Sequence, residues 1–139
     1  MADAVTVTKI FDGIRYTEYE FTNRSDGTGE SAVQKIDIST LVGDNGAATG
    51  GNRPQGLTFV SGDWEVNGFN YITALWDRTA ADEVIEVMVD SGGVDFFPTG
   101  GKNETDRTVA GTGDILITTN GGAAGSGYRI RMMFRKKYA

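Results

Sequence analysis

Short runs of alternating apolar and polar residues recur along the whole chain. Alternation with a period of two is typical of a β-strand with one buried face. Residues 80–89 also carry the acidic start of a helix, but β-branched residues dominate there, so a strand is favoured. The pattern predicts nine strands, at residues 5–11, 14–23, 32–41, 57–66, 69–76, 80–89, 94–97, 114–119 and 128–135.

The last of these runs has the clearest two-faced pattern. Its apolar face holds Tyr128, Ile130, Met132 and Phe134. Its opposite face is basic and holds Arg129, Arg131 and Arg135. A loop that begins with Asn120-Gly121 separates this run from residues 114–119, and such a dipeptide is typical of a hairpin. We therefore expect these two strands to pair antiparallel.

Turn signals and phase changes predict further details of the strands. Asp12-Gly13 predicts a tight turn between the first two strands. The apolar phase of residues 14–23 shifts partway, which indicates a bulge or a strand covered on both sides. Gly62-Asp63 is expected to break residues 57–66, and residues 69–76, apolar on both faces, are the best candidate for a central strand.

Composition then sets the fold class. The chain has 139 residues, with 20 glycines and two prolines, and no internal repeat is apparent. Two glycine-rich stretches, residues 43–56 and 99–113, predict long loops, and the first is either an arm that orders against a partner or a mobile tip. We expect one domain over residues 1–139, an all-β antiparallel β-sandwich, jelly-roll-like, of eight or nine strands.

Several classes of chemistry lack their usual residues. The sequence has no cysteine, so it offers no thiol nucleophile and no thiolate metal site, and it has no histidine, which removes the commonest general base and the commonest metal ligand. No phosphate-binding glycine loop is present. The N-terminus lacks a signal-peptide pattern and no apolar run is long enough for a membrane helix, so we expect a soluble protein made in a cytoplasm, with no membrane partner. We predict no catalytic residue, no cofactor and no metal.

Three clusters of residues resemble sites, but their patterns favour a structural interpretation. Asp26 and Glu30 lie in a glycine-punctuated loop, but the alternating ligands of a calcium loop are missing, so a solvated turn is favoured. The acidic residues of 63–65 and 82–86 read as a solvent face, because nothing fixes their separation as an acid/base pair. Trp64, Phe69, Tyr71 and Trp76 suggest core packing, since a base-stacking platform would need nearby basic residues.

Charge is unevenly distributed. Five basic residues in the last eleven positions give that segment +5, which leaves −11 on the preceding 128 residues. A body of that charge is repelled by nucleic acid at long range, so we expect no nucleic-acid partner. The basic residues either contact an acidic partner or form a solvated face that prevents edge-to-edge aggregation.

Four blocks of the sequence carry a resemblance. They are FTNRSDGTGESAVQKIDIS, ALWD, GTGDILITTNG and the terminal RKKY, at residues 21–39, 74–77, 111–121 and 135–138. These blocks resemble short virion structural proteins of tailed bacteriophages, most of all capsid decoration or cement proteins. The resemblance implies a compact β-sandwich on the capsid exterior that clamps neighbouring major capsid subunits, commonly as a homotrimer.

On this interpretation, partner-binding residues lie in the basic segment and in the first glycine-rich loop: Arg129, Arg131, Arg135, Lys136, Lys137, Asn45, Asn52 and Arg53. Two other functions remain open. The chain could be a tail or fibre-associated component of the virion, which would be present in fewer copies. It could also be a carbohydrate-binding module with Trp64, Trp76 or Tyr71 exposed for stacking on a sugar. An enzyme is disfavoured, because Asp63, Glu65 and Glu86 form no convincing constellation.

Overall fold

The computed structural model describes residues 3–78, 81–103 and 112–138. Within these residues nine strands form two antiparallel sheets, together with two short 3₁₀ helices, Ile38–Thr40 and Phe97–Thr99. The strands are β1 (Ala4–Asp12), β2 (Tyr16–Arg24), β3 (Val33–Ile36), β4 (Gly56–Asn67), β5 (Tyr71–Trp76), β6 (Glu83–Met88), β7 (Ser91–Asp95), β8 (Ile115–Asn120) and β9 (Gly127–Lys137).

The strand order is that of a jelly roll with one strand added. A five-stranded sheet runs β1-β2-β9-β4-β7, and a four-stranded sheet runs β3-β8-β5-β6. From β2 onward the chain is a folded ribbon in which β2 lies beside β9, β3 beside β8, β4 beside β7 and β5 beside β6. Rolling this ribbon gives two packed sheets. The predicted all-β sandwich of about nine strands is thereby confirmed.

The predicted terminal hairpin is wrong. β8 pairs with β3 and β5, whereas β9 pairs with β2 and β4 in the other sheet. Residues 121–126 therefore cross from one sheet to the other. Glycine and polar residues between two alternating runs fit both a hairpin and such a crossing, and the choice depends on which strands are available as partners elsewhere in the fold.

Two further details differ from the predictions. β4 runs unbroken through Gly62 and Asp63, paired with β9 on one side and β7 on the other. Between the first two strands the bulge lies in β1, between Lys9 and Phe11, and not in β2, whose pairing with β9 is continuous. The Asp12-Gly13 turn is confirmed, since Gly13 N donates to Tyr16 O at 2.8 Å.

The inner faces of the two sheets build one apolar core. From the five-stranded sheet the fully buried aromatic rings are Phe21, Phe59 and Phe134. From the other sheet Trp76 is fully buried, and its indole Nε1 donates to Leu57 O at 3.1 Å. β5 is an inner strand, as predicted, but only its Ile72, Ala74 and Trp76 face is buried.

The turn between β4 and β5 depends on a glycine. Gly68 has φ +86°, and a Cβ there would lie 2.4 Å from Ser126 Oγ. We expect Gly68→Ala to lower the free energy of unfolding by about 2 to 4 kcal/mol, because the left-handed backbone costs about 1 kcal/mol and the clash adds the rest.

Gly46 provides the matched control for this substitution. It has φ +71° with open space around its Cβ position. Gly46→Ala should therefore cost only the backbone part, about 1 kcal/mol. Urea unfolding of both variants measures the difference, and equal losses would show that the contact with Ser126 is not tight.

Candidate functional site

The arginines of β9 lie on the outer face of the five-stranded sheet, as predicted, but they are paired within the chain. Arg129 Nη1 lies 3.3 Å from Glu20 Oε2, and Arg129 Nη2 lies 3.5 Å from Asp63 Oδ1. Arg131 lies 3.4 Å from Glu20 and 3.6 Å from Glu18. The acidic residues come from β2 and β4, which flank β9. The outer face is thus a mixed-charge surface rather than a basic stripe.

Lys136 does not belong to the outer face. It is 5% exposed, and its Nζ contacts Asp12 Oδ1, Gly13 O at 2.6 Å and Val42 O at 2.7 Å. Its assignment as a partner-binding residue is corrected, because a buried and fully engaged ammonium group fastens β9 to the β1–β2 turn. Arg135 Nη2 donates to Gly100 O at 2.7 Å, and Lys137 lies partly exposed at the end of β9.

The first glycine-rich loop is internally bonded. Arg53 donates from Nη1 to Ala47 O at 3.0 Å and to Gly50 O at 3.2 Å, and from Nη2 to Leu41 O. Asn45 Nδ2 donates to Thr49 O at 3.1 Å, and Asn52 N donates to Asp44 Oδ1 at 2.8 Å. These bonds give the loop a compact shape of its own, and whether it orders further against a partner stays a prediction.

The first apolar surface lies along β1, and we call it the β1 strip. Val5 and Val7 pair with the buried residues Asn23 and Phe21, so they point to the inner side of their sheet. They are nevertheless 45% and 43% exposed, since the four-stranded sheet has no strand to cover β1. The β1 strip consists of Val5 and Val7. Ile10, Phe11 and Ile14 are also exposed, but they lie at the bulge and the turn that follow, and Phe11 opposes Glu18 on the outer side of the sheet.

The second apolar surface lies at the other lateral edge, and we call it the β6 strip. It consists of Val84, Val87 and Val89, which are 46 to 51% exposed. β6 is the edge of the four-stranded sheet and is joined by two residues to β7, the edge of the five-stranded sheet. β1 is the opposite edge of the five-stranded sheet. An edge strand with exposed valines offers both apolar area and unpaired backbone groups to a partner.

A buried polar cluster closes one end of the sandwich. Glu30 accepts from Asn23 Nδ2 at 2.7 Å and from the Tyr128 hydroxyl, and its other oxygen contacts Lys35 Nζ. The side chains of Glu30 and Lys35 are 4% and 1% exposed. Burial, the hydrogen bond to Glu30 and the nearby carboxylates all raise the pKa of Tyr128, which keeps its hydroxyl a donor.

The calcium interpretation of the 24–31 loop fails on this geometry. Glu30 points inward to Lys35, whereas Asp26 accepts from Thr28 N and Oγ1 within its own turn. The carboxylates of the two residues therefore do not converge, and an ammonium group already neutralises Glu30. Among the described residues no group of three or more candidate ligands is placed to hold a metal ion.

Asp3 ties the start of β1 to the same end of the sandwich. Its Oδ1 accepts from Ser25 Oγ, Asp26 N and Thr28 Oγ1, each at 3.1 Å, and its Oδ2 accepts from Asn23 Nδ2 at 3.0 Å. Burial alone would raise the pKa of Asp3, but these hydrogen bonds outweigh it and lower the pKa from 3.8 to about 2.

This lowered pKa predicts a pH dependence of stability. The stabilisation from ionised Asp3 is complete above pH 3.8, the pKa of the unfolded chain, and is lost as the pH falls to about 2. We expect the difference in free energy of unfolding between wild type and Asp3→Asn to shrink across this window. Urea unfolding at a series of acidic pH values measures it, and a pH-independent difference would contradict the assignment.

The remaining candidate groups are placed as structure. Trp64 is 8% exposed and Trp76 is fully buried, so neither is a platform for sugar stacking, whereas Tyr71 is exposed. Asp63 pairs with Arg129, and Asp82 Oδ1 accepts from Arg78 N at 2.8 Å. An open depression of about 360 Å³ lies on the mixed-charge face, beside Glu18 and Arg131.

Sequence reasoning missed three of these features. The alternation that places Phe134 inward also places Lys136 inward, so the burial of Lys136 could have been predicted from the sequence. The exposure of the β1 strip was not readable, because it depends on the unequal width of the two sheets. The exposure of the β6 strip was not readable either, because Val84 and Val87 lie opposite Leu75 and Thr73 on the outer face after a register shift between β5 and β6. The Glu30–Lys35 pair had no local signal, since it depends on how the 24–31 loop folds over β3.

The described residues contain no helix long and apolar enough to cross a membrane. No protein-family model and no curated protein matches the sequence. Among solved structures, a cupin domain from Bordetella pertussis Tohama I is similar, with a TM-score of 0.37, 7% identity and coverage of 99% of this chain and 97% of that chain. The polyketide cyclase RemF from Streptomyces resistomycificus has a TM-score of 0.31, 9% identity and coverage of 96% and 66%. Similarity at this level carries no inference about activity.

Proposed function

We propose that this protein is a structural protein of a bacteriophage virion, a decoration protein that binds the outer surface of the capsid and stabilises contacts between major capsid subunits. The observation that carries the proposal is the pair of exposed apolar strips on edge strands β1 and β6. Surfaces of this kind mark sites of protein association. The blocks of sequence that resemble phage virion proteins supply the identity of the partner.

The distribution of charge on the outer face agrees with a binding protein on the outside of a particle. On the outer face of the five-stranded sheet Glu18, Glu20 and Asp63 offset Arg129 and Arg131. A face compensated in this way is well solvated and suits exposure on the outside of a particle. The apolar strips, in contrast, are unfavourably exposed to water, and covering them with another polypeptide lowers the free energy.

Co-sedimentation with purified empty capsids of the phage that encodes the chain tests the proposal. We expect saturable binding in hundreds of copies per capsid, held by apolar contacts and therefore only weakly dependent on salt. The variant Arg129→Ala/Arg131→Ala should bind with little change, because both arginines are occupied within the chain. Binding in a few copies would instead indicate a tail or fibre component, and absence of binding would overturn the proposal.

A further inference from the structure

Within the described residues the two sheets have four lateral edges, and three of the edge strands carry a β-bulge. The edge strands are β1 and β7 in the five-stranded sheet and β3 and β6 in the four-stranded sheet. Register shifts leave one extra residue in three of them: Ile10 in β1, Lys35 in β3 and Ile85 in β6. A bulge distorts the row of backbone groups at an edge and disfavours the addition of another strand. These three edges are therefore suited to contacts through side chains.

The fourth edge strand, β7, has a regular backbone. Its pairing with β4 runs from Ser91 to Asp95 without a register shift. It contains neither lysine nor proline, the residues that commonly protect an edge, and its first three residues are exposed. Glycine at position 93 leaves the centre of the strand without a side chain, and glycine within a strand often marks a place where another backbone approaches closely.

The hydrogen bonds to β4 show which backbone groups of β7 face outward. Phe96 N donates to Val60 O at 2.7 Å, and Val66 N donates to Asp90 O at 2.6 Å. Because hydrogen-bonded and non-hydrogen-bonded pairs alternate along an antiparallel ladder, the even-numbered residues of this segment bond to β4. The odd-numbered residues of β7 direct their N–H and C=O groups away from β4, where no described strand pairs with them. These residues are Ser91, Gly93 and Asp95.

Carboxylates line the sheet beside this edge. Two open depressions lie there, one towards each end of β7. Asp63 and Asp95 border the depression of about 360 Å³ described above, and Glu65 and Asp90 border a second of about 250 Å³. The nearby arginines of β9 are shared with glutamates of β2, so they offset this negative charge only in part. The regular edge is thus also an acidic one.

We infer that β7 accepts an extended segment of another polypeptide as an additional strand, and that basic side chains of that segment lie over the carboxylates beside β7. In strand addition the backbone hydrogen bonds supply affinity and the side chains supply specificity. Ser91 and Asp95 are about 13 Å apart along the strand, so basic residues four positions apart in the segment reach one depression each. A second copy of this chain is a poor occupant, because two β7 edges would bring like charges together.

This edge shares no residue with the β1 and β6 strips, so the inference goes beyond the proposed function and does not rest on it. Binding of a peptide at β7 and binding of the protein to capsids are separate measurements, and either can fail alone.

A fluorescent peptide of about ten alternating lysine and threonine residues is the probe, since it is long enough to span β7. We expect saturable binding by fluorescence anisotropy. The control peptide has the same sequence with every backbone nitrogen methylated, which keeps each charge and removes each backbone donor. It should bind about tenfold more weakly, because it cannot pair as a strand. Equal affinity of the two peptides would reduce the interaction to charge alone and overturn the inference.

A pair of protein variants tests the position of the peptide. Ser91→Lys places a cation at the β7 edge, whereas Thr6→Lys adds the same charge on β1, the other edge of the sheet. Both residues are exposed, so both chains should fold, which thermal unfolding checks. Ser91→Lys should weaken binding by about tenfold, and Thr6→Lys should leave it nearly unchanged. Equal weakening by the two variants would contradict binding at β7.

Amide hydrogen exchange followed by NMR shows the pairing directly. The amides of Ser91 and Gly93 should exchange rapidly in the free protein and slowly with the lysine–threonine peptide, whereas the amide of Val94 should be protected in both states. Unchanged exchange at Ser91 and Gly93 in the complex would overturn the inference. Protection of these amides in concentrated protein without peptide would place a second copy at β7 and overturn the choice of occupant.

Discussion

Replacing Trp76 with alanine is expected to lower the free energy of unfolding by about 3 to 5 kcal/mol, which is the usual loss for a large aromatic side chain deleted from a core. Trp76 is fully buried at the end of β5, between β8 and β6, and its indole donates to Leu57 O on the opposite sheet. The substitution therefore removes contacts between the two sheets and leaves a buried carbonyl without its donor.

Tyr71 at the other end of β5 is the matched control. Its ring is 39% exposed on the outer side of the same strand. Tyr71→Ala should cost about 1 kcal/mol, since it removes partly solvated area and some strand propensity. Chemical unfolding measures the free energy of unfolding of both variants. Losses of equal size would contradict the burial of Trp76 in the core between the two sheets.

The second large effect is expected at the buried ion pair. Glu30→Gln keeps an acceptor for Asn23 and Tyr128 but removes the charge that faces Lys35. Because an ammonium group is then left buried without a counter-ion, we expect a loss of about 3 to 5 kcal/mol. The exposed pair of Asp63 with Arg129 offers the comparison, and Asp63→Asn should cost less than about 1 kcal/mol.

A double variant isolates the cause of this loss. Glu30→Gln/Lys35→Met removes both charges and retains the volume of the lysine stem, so it should recover most of the stability lost in Glu30→Gln. If the double variant is as unstable as Glu30→Gln, the loss arises from the 24–31 loop rather than from an isolated charge on Lys35.

Much of the fold was predictable because the governing signals are local. The alternation of Tyr128, Ile130, Met132 and Phe134 identifies both the strand and its buried face, and Asp12-Gly13 identifies a turn. The partners of a strand are not local. Residues 114–119 and 128–135 read as a hairpin in isolation, yet each finds its neighbours in a different sheet, which only the pairing of the whole ribbon decides.

The candidate site was predictable in part, for the same reason. Alternation gave the outer position of Arg129 and Arg131 but not the acidic residues that β2 and β4 bring beside them. The exposure of Val5 and Val7 follows from a difference in width between two sheets. That difference is a property of the packed fold and has no counterpart in the pattern of a single strand.

Electron cryo-microscopy of empty capsids saturated with the protein tests the proposed function most directly. The proposal predicts additional β-sandwich density on the outer surface of the shell, repeated over the lattice and lying across the boundaries between major capsid subunits. A bare shell, or density confined to the tail or to a single vertex, would contradict it.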